Sequence, residues 1–355
     1  MISTKNKIKF AVIFSGVLFG VLSFYANRQQ AQTQVQTAGQ RFKNIKVLND
    51  MPADQMGKVM NLMSAGLGVN CGFCHVGNEF EKDGKEEKET AREMLRMTFA
   101  INKTYFGSET EVSCATCHNG RAHPQSAPNL NLPAGETRPK QPDTKPTVES
   151  ILDKYAQALG GKANLEKITS RHIKANRVEP DGKIEPEEVW QKTDKILVTT
   201  KYGDYTVTEA FDGTSAWKRG NSEEIKLKPD EQEQIKREAQ LFGSANLKAI
   251  YPKMEFGIVD RIDGREVYQI RATTAGNLRE RLYFDVSSGL LVRRLAYTPT
   301  ILGNFPYQVD YSDYKDFSGA KLPTSLRFAV PNITWTRKIS EVKINEATDD
   351  AKFSK

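Results

Sequence analysis

The sequence predicts an α+β chain: a small, mostly helical part followed by a curved antiparallel β-sheet with packed helices. Apolar residues recur at helical spacing in the first third, whereas after residue 147 the chain alternates polar and apolar positions between Asp-Gly and Ser-Gly turns. Between the two lies a polar stretch with Pro133, Pro139, Pro142 and Pro146, a composition that favours an extended spacer. At 355 residues the chain is longer than one typical domain. The expected division is a helical domain over 42–130, a Pro-rich linker over 131–146 and a sheet domain over 147–355.

The chain opens on Lys5, Lys7 and Lys9, followed by residues 10–26, an uncharged and mostly apolar run of 17. This length lies between a signal-peptide core and a full membrane span, and cleavage after Ala26 would put Phe24 at the third position back. Residues 1–26 therefore read as either a signal peptide or an N-terminal membrane anchor, and under both readings the rest of the chain is exported. Residues 27–41 are Gln-rich without periodicity and read as a tether.

In the helical part, Pro52 suits a first helical turn, and Met56, Val59, Met60, Met63 and Leu67 then form one apolar face. Gly66 and Gly68 end this helix. A second helix is expected over 86–105, charged at its start and apolar at Met94, Leu95, Met97, Phe99 and Ile101, with Gly107 as its stop.

The sheet part begins with a helix over 147–159, ended by Gly160-Gly161. Strands are expected over 195–201, 205–211, 215–218, 266–273, 282–285, 290–297, 307–311 and 325–330. Turns at Asp212-Gly213, Asp263-Gly264 and Ser288-Gly289 punctuate them, and a helix over 229–241 interrupts the series. No nucleophile is paired with a base in this part, and its single histidine, His172, reads as an ordinary strand residue.

The formal charge of +7 does not indicate nucleic-acid binding. It divides into +4 over residues 1–40, zero over 41–130 and +3 over the remainder, with no basic stripe carrying interleaved aromatics.

All four cysteines fall in two copies of Cys-x-x-Cys-His, at Cys71, Cys74 and His75 and, 43 residues later, at Cys114, Cys117 and His118. Each copy reads as the attachment site of one c-type haem. The paired thiols add across the two porphyrin vinyl groups, and the following histidine is carried under the ring as proximal iron ligand. Zinc would use both cysteine pairs in one closed set, and a redox dithiol does not require a histidine directly after the second cysteine. The cofactors expected are thus two covalently bound haem c groups, which would also supply apolar bulk that so small a domain lacks.

The sixth iron ligand separates electron transfer from open-site chemistry. Only His123 and His172 remain as histidines, whereas Met56, Met60 and Met63 precede the first motif and Met94 and Met97 the second. A methionine stripe at helical spacing serves core packing as readily as ligation. Arg92, Arg96 and Arg121 are candidates for the haem propionates, although the first two, among Glu86, Glu87, Glu89 and Glu93, also fit surface ion pairs.

The stretch from Met60 through Cys71-Gly72-Phe73-Cys74-His75-Val76 resembles the cytochrome c subunit of photosynthetic reaction centres. So do Ala91-Arg92-Glu93-Met94-Leu95-Arg96-Met97, Ile101-Asn102 and Val112-Ser113-Cys114-Ala115-Thr116-Cys117-His118-Asn119-Gly120. The resemblance covers about residues 45–124. It implies methionine from the preceding helix as sixth ligand: Met60 for the first haem, and Met97 for the second with Met94 as the alternative. The familiar members carry four haems in two such pairs, whereas this chain has one pair. Short phrases such as Ala158-Leu159-Gly160-Gly161, Phe211-Asp212-Gly213 and Tyr283-Phe284-Asp285 are similar to bacterial envelope domains of the lipoprotein-carrier half-barrel type.

Together these readings describe an exported, periplasmic dihaem cytochrome that transfers single electrons between membrane or periplasmic redox proteins, a reaction-centre complex among them, with membrane association through its N-terminal segment. The competing readings are a dihaem peroxidase or reductase with one open iron, and an envelope protein that binds a lipophilic ligand.

Overall fold

A computed structural model describes residues 35–125, 127, 139–240 and 247–355. The leader over 1–26, most of the Gln-rich tether and most of the Pro-rich linker lie outside the described residues. Among the described residues, no helix is long and apolar enough to cross a membrane.

The chain divides into two compact units, Met1–Ala53 and Asp54–Lys355. The described end of the first is a closed loop. A short helix, α1 (Ala38–Arg41), starts at Thr37, whose N–H donates to Gln40 Oε1 at 3.0 Å. Thr37 pairs with Pro52 in an isolated antiparallel bridge, and Ala38 N–H donates to the Met51 carbonyl at 2.7 Å. Pro52 is therefore not in a helical turn, as its sequence context suggests, but in extended backbone.

The second unit begins with three helices: α2 (Met56–Leu67), α3 (Glu86–Tyr105) and α4 (Cys114–His118). Acids fill the first turn of α3 (Glu86, Glu87 and Glu89) and Lys103 lies in its last turn, which complements the helix dipole. Its buried face is Arg92, Leu95, Thr98 and Asn102. Two further helices, α5 (Val148–Ala158) and α6 (Lys162–Leu165), lead into the sheet. Thr147 caps α5 by accepting from Ser150 N–H at 3.1 Å.

Thirteen strands form one sheet in the order β6-β5-β4-β3-β2-β1-β13-β12-β11-β10-β9-β8-β7. Every neighbouring pair is antiparallel. The chain thus starts at a central strand, β1 (Ser170–Val178), and meanders outward through β2 (Ile184–Lys192), β3 (Lys195–Tyr202), β4 (Tyr205–Phe211) and β5 (Ala216–Gly220) to β6 (Glu223–Glu224). Helices α7 (Pro229–Ala239) and α8 (Leu247–Ile250) carry it to the opposite edge. It returns through β7 (Lys253–Ile262), β8 (Arg265–Thr273), β9 (Arg279–Asp285), β10 (Leu291–Thr300), β11 (Gly303–Phe317) and β12 (Ala320–Val330). The last strand, β13 (Ile333–Ile344), pairs with β1.

Period-two burial is clean in β3, where Ile196, Val198 and Thr200 face inward. Two apolar clusters cover the inner face. Ile151 and Tyr155 of α5, with Leu159 just after it, pack with Ile270, Leu282 and Phe284, while Ile235 and Ala239 of α7 pack with Ile173, Val189 and Val198. Strands β2, β6, β7 and β13 are additional to those expected from sequence, β1 contains the strand position read at His172, and β11 and β12 extend well beyond the expected 307–311 and 325–330. The expected helix end at Leu241 lies outside the described residues, and α7 is described to Ala239.

Candidate haem sites

Both Cys-x-x-Cys-His motifs form short helical turns: Cys71–Phe73 is a 3-10 turn and Cys114–His118 is α4. The first is closed by hydrogen bonds from Phe73 N–H to the Asn70 carbonyl at 3.1 Å and from His75 N–H to the Cys71 carbonyl at 3.0 Å. The second is set by Ser113, whose N–H donates to Thr116 Oγ1 at 3.0 Å. A helical turn puts both thiols of a motif and its histidine along one side, as thioether attachment and axial ligation require.

The two motifs meet at the C-terminal end of α2. Gly68 caps that helix in the left-handed region (φ +65°), with Gly68 N–H donating to the Ala65 carbonyl at 3.3 Å and Val69 N–H to the Ser64 carbonyl at 3.1 Å. The first motif follows directly. The second packs against the same turn, with Gly120 N–H donating to the Gly66 carbonyl at 2.9 Å. A Cβ on Gly66 would stand 3.0 Å from Cys114 Cβ, and one on Gly68 would stand 2.1 Å from the Gly120 carbonyl oxygen. Sequence reasoning gives these glycines only the role of helix terminators. Their signal is the Gly-x-Gly spacing just ahead of the motif.

Helix α3 spans both motifs. Near its start, Lys85 donates to the Gly72 carbonyl, and Lys88 donates to the carbonyls of Phe80 at 3.0 Å and Lys82 at 2.8 Å. Arg92, 7% exposed, bonds Asp83 at 2.9 Å and Glu89 at 2.7 Å. Near its end the buried Asn102 grips Val112, two residues before the second motif, by both backbone groups. Its Nδ2 donates to the Val112 carbonyl at 2.8 Å and its Oδ1 accepts from Val112 N–H at 2.9 Å. Asn102 as a positioning group was not evident from the sequence, where it is one polar residue near a helix end.

Of the candidate residues, Cys71 and Cys117 are exposed, while Cys74 and Cys114 are half-buried free thiols whose pKa values burial raises. His118 Nδ1 lies 3.0 Å from the Arg121 carbonyl, a bond that fixes the ring and leaves Nε2 as the coordinating nitrogen. His75 packs edge-on against Phe80, and its Nδ1 is buried without a hydrogen-bond partner. Burial, then the Lys88 charge, hold His75 below the ordinary histidine range, which favours the neutral, metal-ligating form. Met60 is half-buried on α2, whereas Met94 and Met97 are exposed on α3. Arg96 pairs with Glu93 at 2.5 Å, and Arg121 and His123 are exposed.

These residues fit a haem. Two paired thiols, an imidazole fixed through Nδ1, a second imidazole with an unpartnered buried nitrogen, and exposed apolar side chains at Phe80, Met94 and Met97 suit a large apolar ring. Among the described residues, no group of three or more His, Cys, Asp or Glu side chains is placed to hold a metal ion.

The helical part is docked on the sheet within the second unit. Lys58 of α2 pairs with Asp230 of α7 at 2.9 Å, and Asn332 Nδ2 donates to the Asn61 carbonyl at 3.3 Å. Ile301 faces Phe99 and Asn102 of α3 across a small pocket.

Both Cys-x-x-Cys-His turns lie on the helical segment, and the similarity to known proteins falls on that same segment. Residues 23–149 match the family of the photosynthetic reaction centre cytochrome C subunit. The photosynthetic reaction center cytochrome c subunit of Roseobacter denitrificans is 32% identical over 93 residues, covering 23% of this chain and 25% of the relative. That of Rubrivivax gelatinosus is 33% identical over 92 residues, 25% of each chain, and cytochrome c-554 of Chloroflexus aurantiacus is 37% identical over 82 residues, 21% of this chain and 20% of its own. This chain spans about a quarter of the length of the curated relatives it matches. Among solved structures, it is similar to a LolA superfamily protein from Nitrosomonas europaea (15% identity, TM-score 0.42, covering 59% of this chain and 99% of the other). It is also similar to a DUF1329 family protein from Desulfovibrio piger (11% identity, TM-score 0.42, covering 58% and 97%).

Proposed function

We propose that this protein is an exported dihaem c-type cytochrome that passes single electrons between membrane or periplasmic redox proteins, a reaction-centre complex among the partners its relatives suggest. Cys71 and Cys74 would hold one haem c and Cys114 and Cys117 the other, and His75 and His118 would ligate the irons. Met60 and Met97 would complete the two ligand sets, with Met94 one helical turn from the latter. When bound, each haem supplies a one-electron couple whose potential His/Met ligation raises. The protein's own contribution is positional. Asn102 and the Gly66–Gly120 contact fix the second motif relative to the first, which keeps the distance between carriers constant. The leader over 1–26 delivers the chain across the inner membrane, and the domain division is 42–130, 131–146 and 147–355.

The observation that carries this reading is the convergence of both Cys-x-x-Cys-His turns on one end of α2. Its test is the optical and magnetic resonance spectrum of the mature protein, oxidised and reduced, beside Met60→Ala and Met97→Ala. Two low-spin haems, each turned high-spin by one substitution, are expected. A high-spin haem in the unmodified protein that binds peroxide would overturn the carrier reading in favour of a peroxidase or reductase.

A further inference from the structure

Helix α2 is held along its side as well as at its end. Gln55, just before it, and Lys58 and Asn61 within it follow one another at three-residue spacing and so share one helical face. Each meets a different element of the sheet part. Lys58 Nζ donates to Asp230 Oδ1 at 2.9 Å and lies 2.9 Å from Oδ2, in the first turn of α7. Asn332 Nδ2, in the β12–β13 turn, donates to the Asn61 carbonyl at 3.3 Å. Ile301 N–H, in the β10–β11 turn, donates to Gln55 Oε1 at 3.4 Å.

The central pair is shielded. The side chains of Lys58 and Asp230 are only 13% and 24% exposed, and Thr298 Oγ1 of β10 donates to Asp230 Oδ2 at 3.5 Å. An exposed ion pair trades readily for water, whereas removing one partner of a shielded pair leaves a charge without compensation. Lys58–Asp230 therefore fixes α2 to α7 as a strut.

The methionines of α2 lie on the other face. Met56, Met60 and Met63 stand about 140–160° round the helix from Lys58, and all three are half-buried. The sheet part thus holds the back of the helix whose front carries the methionine read as distal ligand of the first haem. Groups that orient a metal ligand without touching the metal change its binding about 10–100-fold when removed. We infer that Asp230 is a positioning residue for the first haem, bracing α2 through Lys58 so that Met60 stays on its iron. The inference rests on the reading of Met60 as that ligand, and it gives the sheet part a task in electron transfer that needs no ligand of its own.

The test uses the full-length, haem-loaded, ferric protein and imidazole, which occupies an iron whose methionine has left it. Titration is followed in the haem absorbance and magnetic circular dichroism. The apparent affinity at each haem then reports how often its methionine is off. Met60→Ala marks the first haem as the titration phase it shifts. Asp230→Asn is expected to raise imidazole affinity in that phase about tenfold and to leave the other phase unchanged. Lys58→Met should give the same rise, and combining the two should add nothing further, because both remove one strut. Glu231→Gln alters the neighbouring acid of the same turn, which bonds Lys228 N–H instead of α2, and should change neither phase. Asn332→Gly, at a φ of +66° that suits glycine, removes the second contact alone and should raise the first phase severalfold; it decides the matter if Asp230→Asn does not fold. An unchanged first phase in Asp230→Asn, equal shifts at both haems, or additive effects of Lys58→Met and Asp230→Asn would overturn the inference while leaving Met60 as ligand. An unchanged titration in Met60→Ala would overturn the ligand reading and the brace together.

Discussion

Replacing Gly68 by alanine tests whether the two haem-attachment turns are held together by backbone contact. Two costs are separable. Gly68 has φ +65°, and an alanine forced into that region loses about 1 kcal/mol. The added Cβ would also lie 2.1 Å from the Gly120 carbonyl oxygen, a rigid backbone atom. To reach ordinary contact, the second motif must retreat from α2 by more than about 1 Å. That movement breaks the 2.9 Å bond from Gly120 N–H to the Gly66 carbonyl, worth about 1 kcal/mol, and loosens the packing of Gly66 on Cys114. The expected destabilisation is about 3 kcal/mol. Gly120→Ala is the control: Gly120 has φ +77° but nothing within 4 Å of its added Cβ, so only the conformational cost of about 1 kcal/mol applies. Urea unfolding of the haem-loaded protein, followed in the haem absorbance and in far-UV circular dichroism, measures both variants. Equal losses in the two, or a Gly68→Ala variant within about 0.5 kcal/mol of wild type, would refute the contact as the organiser of the motif pair.

Other perturbations act on the sheet, where all three tryptophans lie, so fluorescence follows them. Glu280→Ala removes the 2% exposed carboxylate shared by Arg237, Arg294 and the Tyr251 hydroxyl at 2.5 Å; a loss of about 3–5 kcal/mol is expected in urea midpoints, and under 1 kcal/mol would show the cluster to be electrostatically slack. His172 stacks on Trp190 with its ring nitrogens 2.6 Å from Glu188 and 2.7 Å from Glu346, so His172→Ala should cost about 2–4 kcal/mol by thermal unfolding and release the C-terminal segment to proteolysis. At the β4–β5 turn, the Ser215 N–H, then the Thr214 N–H and the Ser215 hydroxyl, hold the Asp212 carboxyl below the usual carboxylate range. Because the folded pKa is the lower one, this stabilisation is present above about pH 4 and disappears as pH falls through the folded value. Asp212→Ala should therefore cost about 1 kcal/mol or less at pH 7, with the gap to wild type closing in strong acid.

The legibility of the fold followed its electrostatics. Helix α3 matches its sequence-derived span over 86–105, and α5 and α7 match theirs closely, because each carries a stop, a cap or a charged first turn that acts locally. The β4–β5 hairpin with its Asp212-Gly213 turn was equally plain. Strands β2 and β13 were hidden because their inward positions are partly charged or polar: Glu185, Glu187 and Gln191 on β2 and Arg337 on β13 are all buried. Apolar alternation is broken where a strand's core face carries paired ions. At the haem sites the ligating chemistry stood out in the motifs. The gathering of both motifs at Gly66 and Gly68 did not, since close backbone approach leaves no mark beyond the glycines themselves.

The pairing of β1 with β13 sets His172 opposite Lys343, and His172 also bonds Glu346, 174 positions away. Such a seam closes only when the whole C-terminal half has emerged, and long-range pairing of this kind makes for slow folding. The haem-attachment turns, by contrast, depend on contacts within residues 56–121, which emerge first. A chain threaded across a membrane from its N-terminus would therefore present its thiols for haem attachment while the central strand still lacked its partner. In a chain threaded this way, cofactor insertion would come before sheet closure, an order set by where the last strand sits.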